Sequence, residues 1–263
     1  MKPHLRALPL PGQKPKEKIL HIDGLSKVFH ANNGFLTVLK DIRFTAESGE
    51  LICILGRSGC GKSTLLKIVA GFIPPSSGEV LLKSKPVKTP GPDRCIIFQE
   101  DALFPWLTVR ENIAFGLRGP DHNKKSKLEE VERFLDLVGL AGFGNYLPSE
   151  ISGGMKQRVA LARVLILKPS VLLMDEPFAS LDAQSREEMQ DLLLSLWQEL
   201  DHTILFVTHD VNEAVILADR ILLMSKNPGR IREEIRVDLP RPREKETSAF
   251  LDVSRRLHEA LRD

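Results

Sequence analysis

The sequence predicts an α/β protein in which helices cover a largely parallel β-sheet. A short apolar strand at 50–55 precedes a glycine-rich turn and a helical stretch at 63–70. Further along, strand patterns at 171–174 and 203–207 flank a predicted helix at 186–200. Strands and helices that alternate in this way build a parallel sheet with helices on its faces.

Two other regions are predicted to form smaller units beside this core. Residues 19–29 and 38–46 carry alternating or β-branched apolar side chains, and the turn-forming segment 32–34 separates them. We expect them to form strands of a small antiparallel sheet. Residues 101–168 are predicted to be helical throughout, and Gly139 is expected to end one of these helices.

The two ends of the chain are predicted to lie outside the main domain. Residues 1–18 are interrupted by prolines, which is unlike a secretion signal and indicates a mobile N-terminal tail. Residues 19–240 form the main domain. Residues 241–263 place apolar side chains at helical spacing after the break at 240–242, which predicts a docked amphipathic helix.

Composition limits the classes of function. The 37 basic residues nearly balance the 35 acidic ones in this chain of 263 residues, so bulk charge favours neither nucleic acid nor an anionic membrane surface. Three cysteines without metal-ligand spacing indicate free thiols in a reducing compartment, the cytoplasm. No segment approaches the roughly 18 apolar residues of a spanning helix. If the function involves a membrane, a partner must supply the span.

Residues 56–63 match the phosphate-loop pattern between a predicted strand and a predicted helix. Glycines allow backbone N–H groups to face an anion, Lys62 reaches the terminal phosphates, and Ser63 offers a hydroxyl to Mg²⁺. The alternative is an ordinary glycine turn before a helix, which the four fixed positions and the flanking elements disfavour. The predicted ATP-binding residues here are Gly56, Arg57, Ser58, Gly59, Cys60, Gly61, Lys62, Ser63 and Thr64. Cys60 occupies a free position of the pattern, so we assign its thiol no chemistry.

A pair of acids, Asp175 and Glu176, ends the buried strand pattern at 171–174. Both carboxylates are expected at the carboxyl edge of the sheet, where ligands of open α/β sheets bind. Because successive side chains of a strand point to opposite sides, Asp175 is predicted to face the metal and Glu176 to act as general base on the attacking water. The alternative is a polar strand end, which the upstream phosphate loop disfavours.

His209 follows the strand pattern at 203–207 in the same way. A lone histidine at the end of a strand is usually structural. Here it follows two nucleotide motifs in chain order, which favours a contact with the γ-phosphate. Lys62, Glu176 and His209 are therefore the predicted catalytic residues.

Residues 151–158, Ile-Ser-Gly-Gly-Met-Lys-Gln-Arg, resemble the signature motif of the ABC transporter ATPases, and the resemblance covers nearly the whole chain. It implies a RecA-like P-loop NTPase core with an antiparallel β subdomain and a helical subdomain. Ser152, Gly153 and Gly154 are expected to open a helix whose free N–H groups form an anion site. In this family that motif binds the γ-phosphate of ATP held by the opposite subunit, which implies a dimer with a second copy.

The resemblance implies further site residues. Phe29 resembles the aromatic that stacks on adenine. Gln99 resembles the glutamine that touches Mg²⁺ and water and hinges the helical subdomain, so the implied Mg²⁺ ligands are Ser63, Gln99 and Asp175. The loop 180–182, which ends at Asp182, resembles the segment that joins the two active sites.

Some features are similar to a subgroup of importers. The signature commonly ends in Gln, whereas this chain has Met155. Met at this position resembles the signature motif of nitrate, sulfonate and taurine importers. The segments 103–109 and 227–231 also resemble segments of those importers. The resemblance therefore implies an ATPase subunit at the cytoplasmic face of the membrane. It would energise a separate permease that receives solute from an external solute-binding protein.

Two other classes of function share these nucleotide motifs. A soluble ABC ATPase acting on DNA or ribosomes usually carries two ATPase halves or a long coiled-coil insertion. In this chain the stretch between phosphate loop and signature is short and heptad-free, and no basic face indicates nucleic acid. A nucleotide-binding regulator without turnover is disfavoured because Glu176 and His209 are both present.

Overall fold

A computed structural model describes residues 17–31, 34–98, 103–117 and 124–262. This part of the chain contains ten strands and seven α-helices. The strands are β1 (Lys18–Ala31), β2 (Gly34–Glu47), β3 (Leu51–Gly56), β4 (Ser77–Leu82), β5 (Lys85–Pro86), β6 (Arg94–Ile97), β7 (Val171–Asp175), β8 (Thr203–Thr208), β9 (Arg220–Ser225) and β10 (Arg230–Arg236). The helices are α1 (Lys62–Val69), α2 (Val109–Ala114), α3 (Lys124–Leu137), α4 (Gly153–Leu165), α5 (Ala183–Leu200), α6 (Val211–Leu217) and α7 (Ser248–Arg262).

Strand β3 lies in the interior of a six-stranded sheet with the order β10-β9-β3-β8-β7-β6. All pairs are parallel except β9 with β10. Leu51, Cys53 and Leu55 enter the larger hydrophobic core with α2 to α7, whereas Ile52 and Ile54 enter a second core with α1 and the small sheet. A strand buried on both faces needs apolar side chains at every position, as in this segment. The predicted α/β class is confirmed.

The small sheet is antiparallel and has the order β2-β1-β4-β5. The predicted strands of its hairpin are confirmed as β1 and β2. Strands β4 and β5 were not predicted. Only Val80 and Leu82 of these two strands are buried. With so few buried positions, the segment shows little alternation of apolar and polar side chains from which a strand could be predicted.

The region between β6 and β7 holds α2, α3 and α4, but the prediction of helix throughout was wrong. Helix α3 ends two residues before Gly139, whose positive φ stops the helix as expected. Residues 138–152 contain no α-helix. A 3₁₀ turn at Pro148–Glu150 is the one helical turn in that stretch. Gly142 also has a positive φ, so the backbone cannot continue as a helix through this segment.

Helix α6 was not predicted from the sequence, whose pattern at 203–207 indicates only a strand followed by His209. The Asp210 carboxylate accepts hydrogen bonds from the backbone N–H groups of Asn212 at 2.8 Å and Glu213 at 3.1 Å. This capping starts a new helix immediately after His209. The antiparallel pair β9 and β10 follows, and it was not predicted either.

Two arginines, Arg241 buried and Arg243 partly buried, hold the other end of α6. Arg243 donates from Nη1 to the carbonyl oxygens of Val215 and Ala218, each at 2.6 Å. Arg241 lies with its guanidinium 4.6 Å from the ring centroid of Trp197. The last carbonyls of a helix lack partners within the helix, so these donors stabilise its end.

The C-terminal helix α7 packs on this region and buries Phe250 and Leu257 in the larger core. Its contacts with α6 place it against the main sheet layer. Within the described ranges, no helix combines the length and the apolar character needed to cross a membrane.

We predict that Arg243→Met lowers stability by about 3 kcal/mol, because several buried carbonyls lose a charged donor. For a chain of this size, that loss lowers the melting temperature by about 6–12 °C. The control is Arg255→Met, which removes an exposed arginine whose ion pair with Asp252 spans 3.6 Å. It should change stability by no more than about 0.5 kcal/mol. Thermal unfolding followed by circular dichroism measures both, and equal melting temperatures would contradict the capping role.

Candidate functional site

The phosphate loop joins β3 to α1, and two of its glycines have left-handed backbones. Gly59 has a φ of 79° and Gly61 a φ of 102°. A Cβ at Gly61 would lie 2.6 Å from Leu39 Cδ2, so both conformation and packing require glycine there. Consecutive turns of this kind aim backbone N–H groups into one concavity, which suits an anion.

A turn between β9 and β10 supports the loop from behind. A Cβ at Gly229 would lie 2.2 Å from the Cys60 carbonyl oxygen, so this close approach requires glycine. The Gly229 N–H donates to the Val38 carbonyl oxygen at 2.8 Å, which fixes the turn against β2. No site role was predicted for this turn, although its Asn-Pro-Gly segment is a turn signal. Burial raises the pKa of the Cys60 thiol, which keeps it protonated and agrees with its having no predicted chemistry.

Lys62 is almost fully buried at the start of α1, with 4% of its surface exposed. Its ammonium donates to the Gly56 carbonyl oxygen at 2.7 Å and lies 3.4 Å from Glu176 Oε1. A buried ammonium needs such partners because desolvation would otherwise disfavour its charge. The structure therefore brings the phosphate loop and the predicted general base together.

Glu176 connects Lys62 to His209. Its second oxygen, Oε2, lies 2.7 Å from His209 Nδ1. A carboxylate only accepts hydrogen bonds, so Nδ1 carries the proton and Nε2 is left to face a ligand. Glu176 also has a φ of 47°, a left-handed backbone that a non-glycine residue adopts only when its surroundings hold it there.

Asp175 lies beside the phosphate loop rather than beside His209. Its Oδ1 accepts a hydrogen bond from the Ser63 hydroxyl at 2.9 Å. Burial raises the pKa of the Asp175 carboxyl, and the Ser63 hydrogen bond opposes that effect. The two neighbouring acids therefore have different environments. Asp175 is the last residue of β7, whereas Glu176 follows the strand with a left-handed backbone, so a turn rather than strand alternation separates their side chains.

The oxygens of Ser63 and Asp175 fit a magnesium ion, although no group of three or more potential metal-binding His, Cys, Asp or Glu side chains exists in the described part of the chain. Mg²⁺ is usually held by one or two protein groups together with substrate phosphates, so two hard oxygens beside a phosphate loop are sufficient. A cation here would also offset the cost of burying the Asp175 carboxylate.

The signature residues begin α4 and face open space. Ser152 is the N-cap, and its hydroxyl accepts a hydrogen bond from the Met155 N–H at 3.3 Å. A Cβ added at Gly153 or Gly154 would meet no described atom within 4 Å, and neither glycine has a positive φ. Neither packing nor backbone conformation within the described chain requires glycine at these two positions.

A cavity of about 170 Å³ lies beside this motif, and none of its lining residues belongs to the phosphate loop. It is lined by Gly139, Leu140, Phe143, Ser152, Gly154, Met155, Arg158, Ser185, Glu188 and Met189. Asp182 caps α5 on the same side, since its Oδ1 accepts from the Ser185 N–H at 3.0 Å. That bond and the Ser185 hydroxyl lower the pKa of Asp182. The predicted site residues thus fall into two groups.

The remaining predicted residues are placed as follows. Phe29 lies on β1 with 38% of its surface exposed, and the Lys27 ammonium is 4.9 Å from its ring centroid. Gln99 lies outside the described residues.

A contact not predicted from the sequence involves Gln157 of α4, whose Nε2 donates to the Pro177 carbonyl oxygen at 2.8 Å. The feature of the sequence that could have indicated this contact is a polar residue on the buried side of an amphipathic helix.

Comparison with known proteins identifies the family. A family model described as ABC transporter matches residues 39–179. A nitrate import ATP-binding protein of Synechocystis sp. is 47% identical over 221 residues, which cover 84% of this chain and 83% of that protein. An aliphatic sulfonates import ATP-binding protein of Bacillus cereus is 45% identical over 236 residues, 90% of this chain and 93% of that protein.

Solved structures agree with these relatives. The cbiO1 protein of Clostridium perfringens, part of the ABC transporter complex cbiONQ, superposes with a TM-score of 0.78 at 29% identity over 94% of this chain and 97% of that one. A dimeric ATP-binding cassette bound to ADP and Pi gives 0.72 at 29% identity over 83% of this chain and 99% of that one. This chain therefore belongs to the ABC transporter family and is one of its ATP-binding, ATP-hydrolysing subunits.

Proposed function

We propose that this chain hydrolyses ATP as a two-chain site and drives import of a small oxyanion through a separate permease. The observation that carries the catalytic part is the position of Glu176, whose two oxygens contact Lys62 and His209. One carboxylate is thereby joined to the phosphate loop on one side and to the residue after β8 on the other.

In the proposed reaction, the phosphate loop and Lys62 bind the terminal phosphates and offset their charge. Glu176 orients the attacking water and accepts its proton. His209, oriented through Nδ1 by Glu176, presents Nε2 to the γ-phosphate. Phe29 and Gln99 complete the ATP contacts, as stacking aromatic and as phosphate sensor.

Mg²⁺ is the proposed metal, held by Ser63 and Asp175 with a further contact from Gln99. When bound, it neutralises charge on the phosphates. The Ser63 hydroxyl and the Asp175 carboxylate supply the hard oxygens, and their existing hydrogen bond keeps them side by side.

The second chain of the proposed site is another copy of this protein. Ser152, Gly153 and Gly154 would bind the γ-phosphate held by the partner, and Asp182 would approach the partner's loop. Open space at both glycines supports this proposal, because a ligand from outside the described chain explains their lack of side chains. The solved neighbour bound to ADP and Pi is itself dimeric.

We also propose the domain division predicted from the sequence. Residues 19–240 form the ATPase domain, 101–168 its helical subdomain, and 1–18 and 241–263 the flanking tail and helix. The hydrogen bonds from Arg243 to the end of α6 support treating the C-terminal segment as docked on the ATPase domain.

We predict that Glu176→Gln retains ATP binding and loses about 10²–10⁴-fold in turnover, the usual contribution of a positioned base. The variant should accumulate as an ATP-bound dimer. Phosphate release and size-exclusion chromatography at saturating Mg-ATP measure both effects. The control, Glu187→Gln, changes an exposed carboxylate that pairs with Lys245 and should have normal turnover. A monomeric Glu176→Gln variant would contradict the two-chain site.

The segment after Gln99, which contains Phe104 and Trp106, is the proposed docking surface for a cytoplasmic helix of the permease. Trp106 is 72% exposed, which is unusual for a large apolar side chain, whereas Phe104 packs with its ring centroid 4.3 Å from that of Phe115. Exposed aromatics of this kind anchor protein interfaces when they fill a partner's pocket. We therefore assign Trp106 as the anchor and Phe104 as the side chain that supports it.

We predict that Trp106→Ala leaves the melting temperature unchanged and weakens binding to the permease by about 2 kcal/mol, a loss of roughly 30-fold in affinity. Phe104→Ala serves as the contrast, because it removes a packed ring and should lower the melting temperature. Co-purification with the permease in detergent and thermal unfolding separate the two effects. Wild-type binding by the Trp106 variant would sink the docking assignment.

The proposed solute and location rest on relatives. Two similar proteins are named for import of nitrate and of aliphatic sulfonates, and both solutes are small oxyanions. We place the chain at the cytoplasmic face of the membrane, bound to a permease that receives solute from an external solute-binding protein. The residues that contact solute belong to those partners, so this chain supplies the motion.

To test the solute, the assembled transporter is reconstituted with its solute-binding protein, and ATP hydrolysis is measured with nitrate, taurine or an alkanesulfonate outside. We expect at least one of these oxyanions to stimulate hydrolysis, and an amino acid or sugar of similar size to have no effect. Stimulation by a neutral sugar alone would contradict the proposed solute class. Co-purification of the native chain with ribosomes or DNA would favour the alternative function.

A further inference from the structure

A buried glutamine joins the signature helix to the loop that carries the catalytic carboxylate. Gln157 is 7% exposed in α4. Its Nε2 donates to the Pro177 carbonyl oxygen at 2.8 Å and lies 3.5 Å from Ser180 Oγ. A polar side chain is costly to bury, and a buried amide is retained where its hydrogen bond contributes something that an apolar residue cannot supply.

The loop that receives this hydrogen bond starts from a strained residue. Glu176 has a φ of 47°, and the left-handed conformation is unfavourable for a non-glycine residue. Two other bonds fix the backbone of Glu176: its N–H donates to Val207 O at 3.1 Å, and its carbonyl accepts from the Ala179 N–H at 3.2 Å. Both come from β8 or from the loop itself. The Gln157 bond holds the loop to the signature helix.

The same helix begins at the signature residues, which are proposed above to bind the partner's nucleotide. Gln157 follows Ser152 by five residues, which is about 7.5 Å along one rigid helix. Its second contact, Ser180, begins the loop that ends at Asp182, the N-cap of α5. Gln157 therefore contacts both the residue that follows Glu176 and the start of the segment that leads into α5.

We propose that Gln157 is a positioning residue that sets Glu176 in its own subunit according to the position of the signature helix. The proposal rests on the two-chain site described above. When the partner's ATP fixes Ser152 and the start of α4, Gln157 fixes the Pro177 carbonyl, and the Glu176 carboxylate is held in its catalytic position. Each site is thereby made dependent on the nucleotide in the other.

Gln157→Met tests this role, because methionine keeps the length and volume of glutamine and removes the N–H donor. We expect turnover to fall about 10- to 100-fold, the effect of a small misplacement of a catalytic group. The affinity for ATP and the ATP-dependent dimer, measured by calorimetry and size-exclusion chromatography, should be unchanged. The control is Gln198→Met on α5, a half-buried glutamine whose Nε2 makes no hydrogen bond with the described residues.

Mixed dimers separate positioning of Glu176 from support of the signature motif. One chain carries Glu176→Gln, so the other chain supplies the single remaining base. Gln157→Met is placed either on the chain with the intact Glu176 or on the opposite chain. Differently tagged chains are isolated in ATP, Mg²⁺ is added, and phosphate release is followed over one turnover.

Positioning requires the release rate to fall when Gln157→Met is on the chain with the intact Glu176 and to stay normal when it is on the opposite chain. A loss confined to the opposite-chain arrangement would assign Gln157 to the signature motif and overturn the proposal. Equal release rates in both arrangements would also overturn the proposal. This holds even if Gln157→Met lowers the melting temperature. The mixed dimer with Gln157 in both chains tests the proposed function separately. One phosphate per dimer supports Glu176 as the base, and two would contradict it.

Discussion

The parallel register of three strands is the constraint on which the site depends. Leu55 of β3 pairs with Thr208 of β8, and Asp175 of β7 pairs with Val207 of the same strand. The three strands therefore end at one level, and the residues that follow them meet at one edge. A slip of one residue in β7 would move Asp175 away from Ser63 and Glu176 away from Lys62.

Much of this edge could be predicted from the sequence because local patterns encode it. The phosphate loop has fixed residue types between a strand and a helix, and the acid pair ends an apolar run. The structure adds what depends on contacts between distant segments. Helix α6 is only seven residues long, and its ends are held by Asp210 and by arginines more than twenty residues later. The bond from Gln157 to Pro177 likewise depends on tertiary packing.

The glycines of the site differ in what requires them. Gly61 and Gly229 are required by neighbouring atoms of the same chain, since an added Cβ would collide with Leu39 or with the Cys60 carbonyl. Gly153 and Gly154 have open space around them in the described structure. The first pair preserves the shape of the phosphate loop, and the second pair keeps a surface accessible. The folding of this subunit and its proposed assembly with a partner therefore depend on different glycines.

The arginine contacts at the end of α6 have a consequence for the order of synthesis. His209 lies two residues before α6, and the C-terminal end of that helix is held by Arg241 and Arg243. Domains emerge from the ribosome with the N-terminal part first. The phosphate loop depends on late segments as well, because β3 pairs with β8 and β9 and Gly229 packs against the Cys60 carbonyl oxygen. The last hydrogen bonds of α6 form only after residue 243 has emerged. The nucleotide site of a newly synthesised subunit is therefore complete only when nearly the whole domain has left the ribosome.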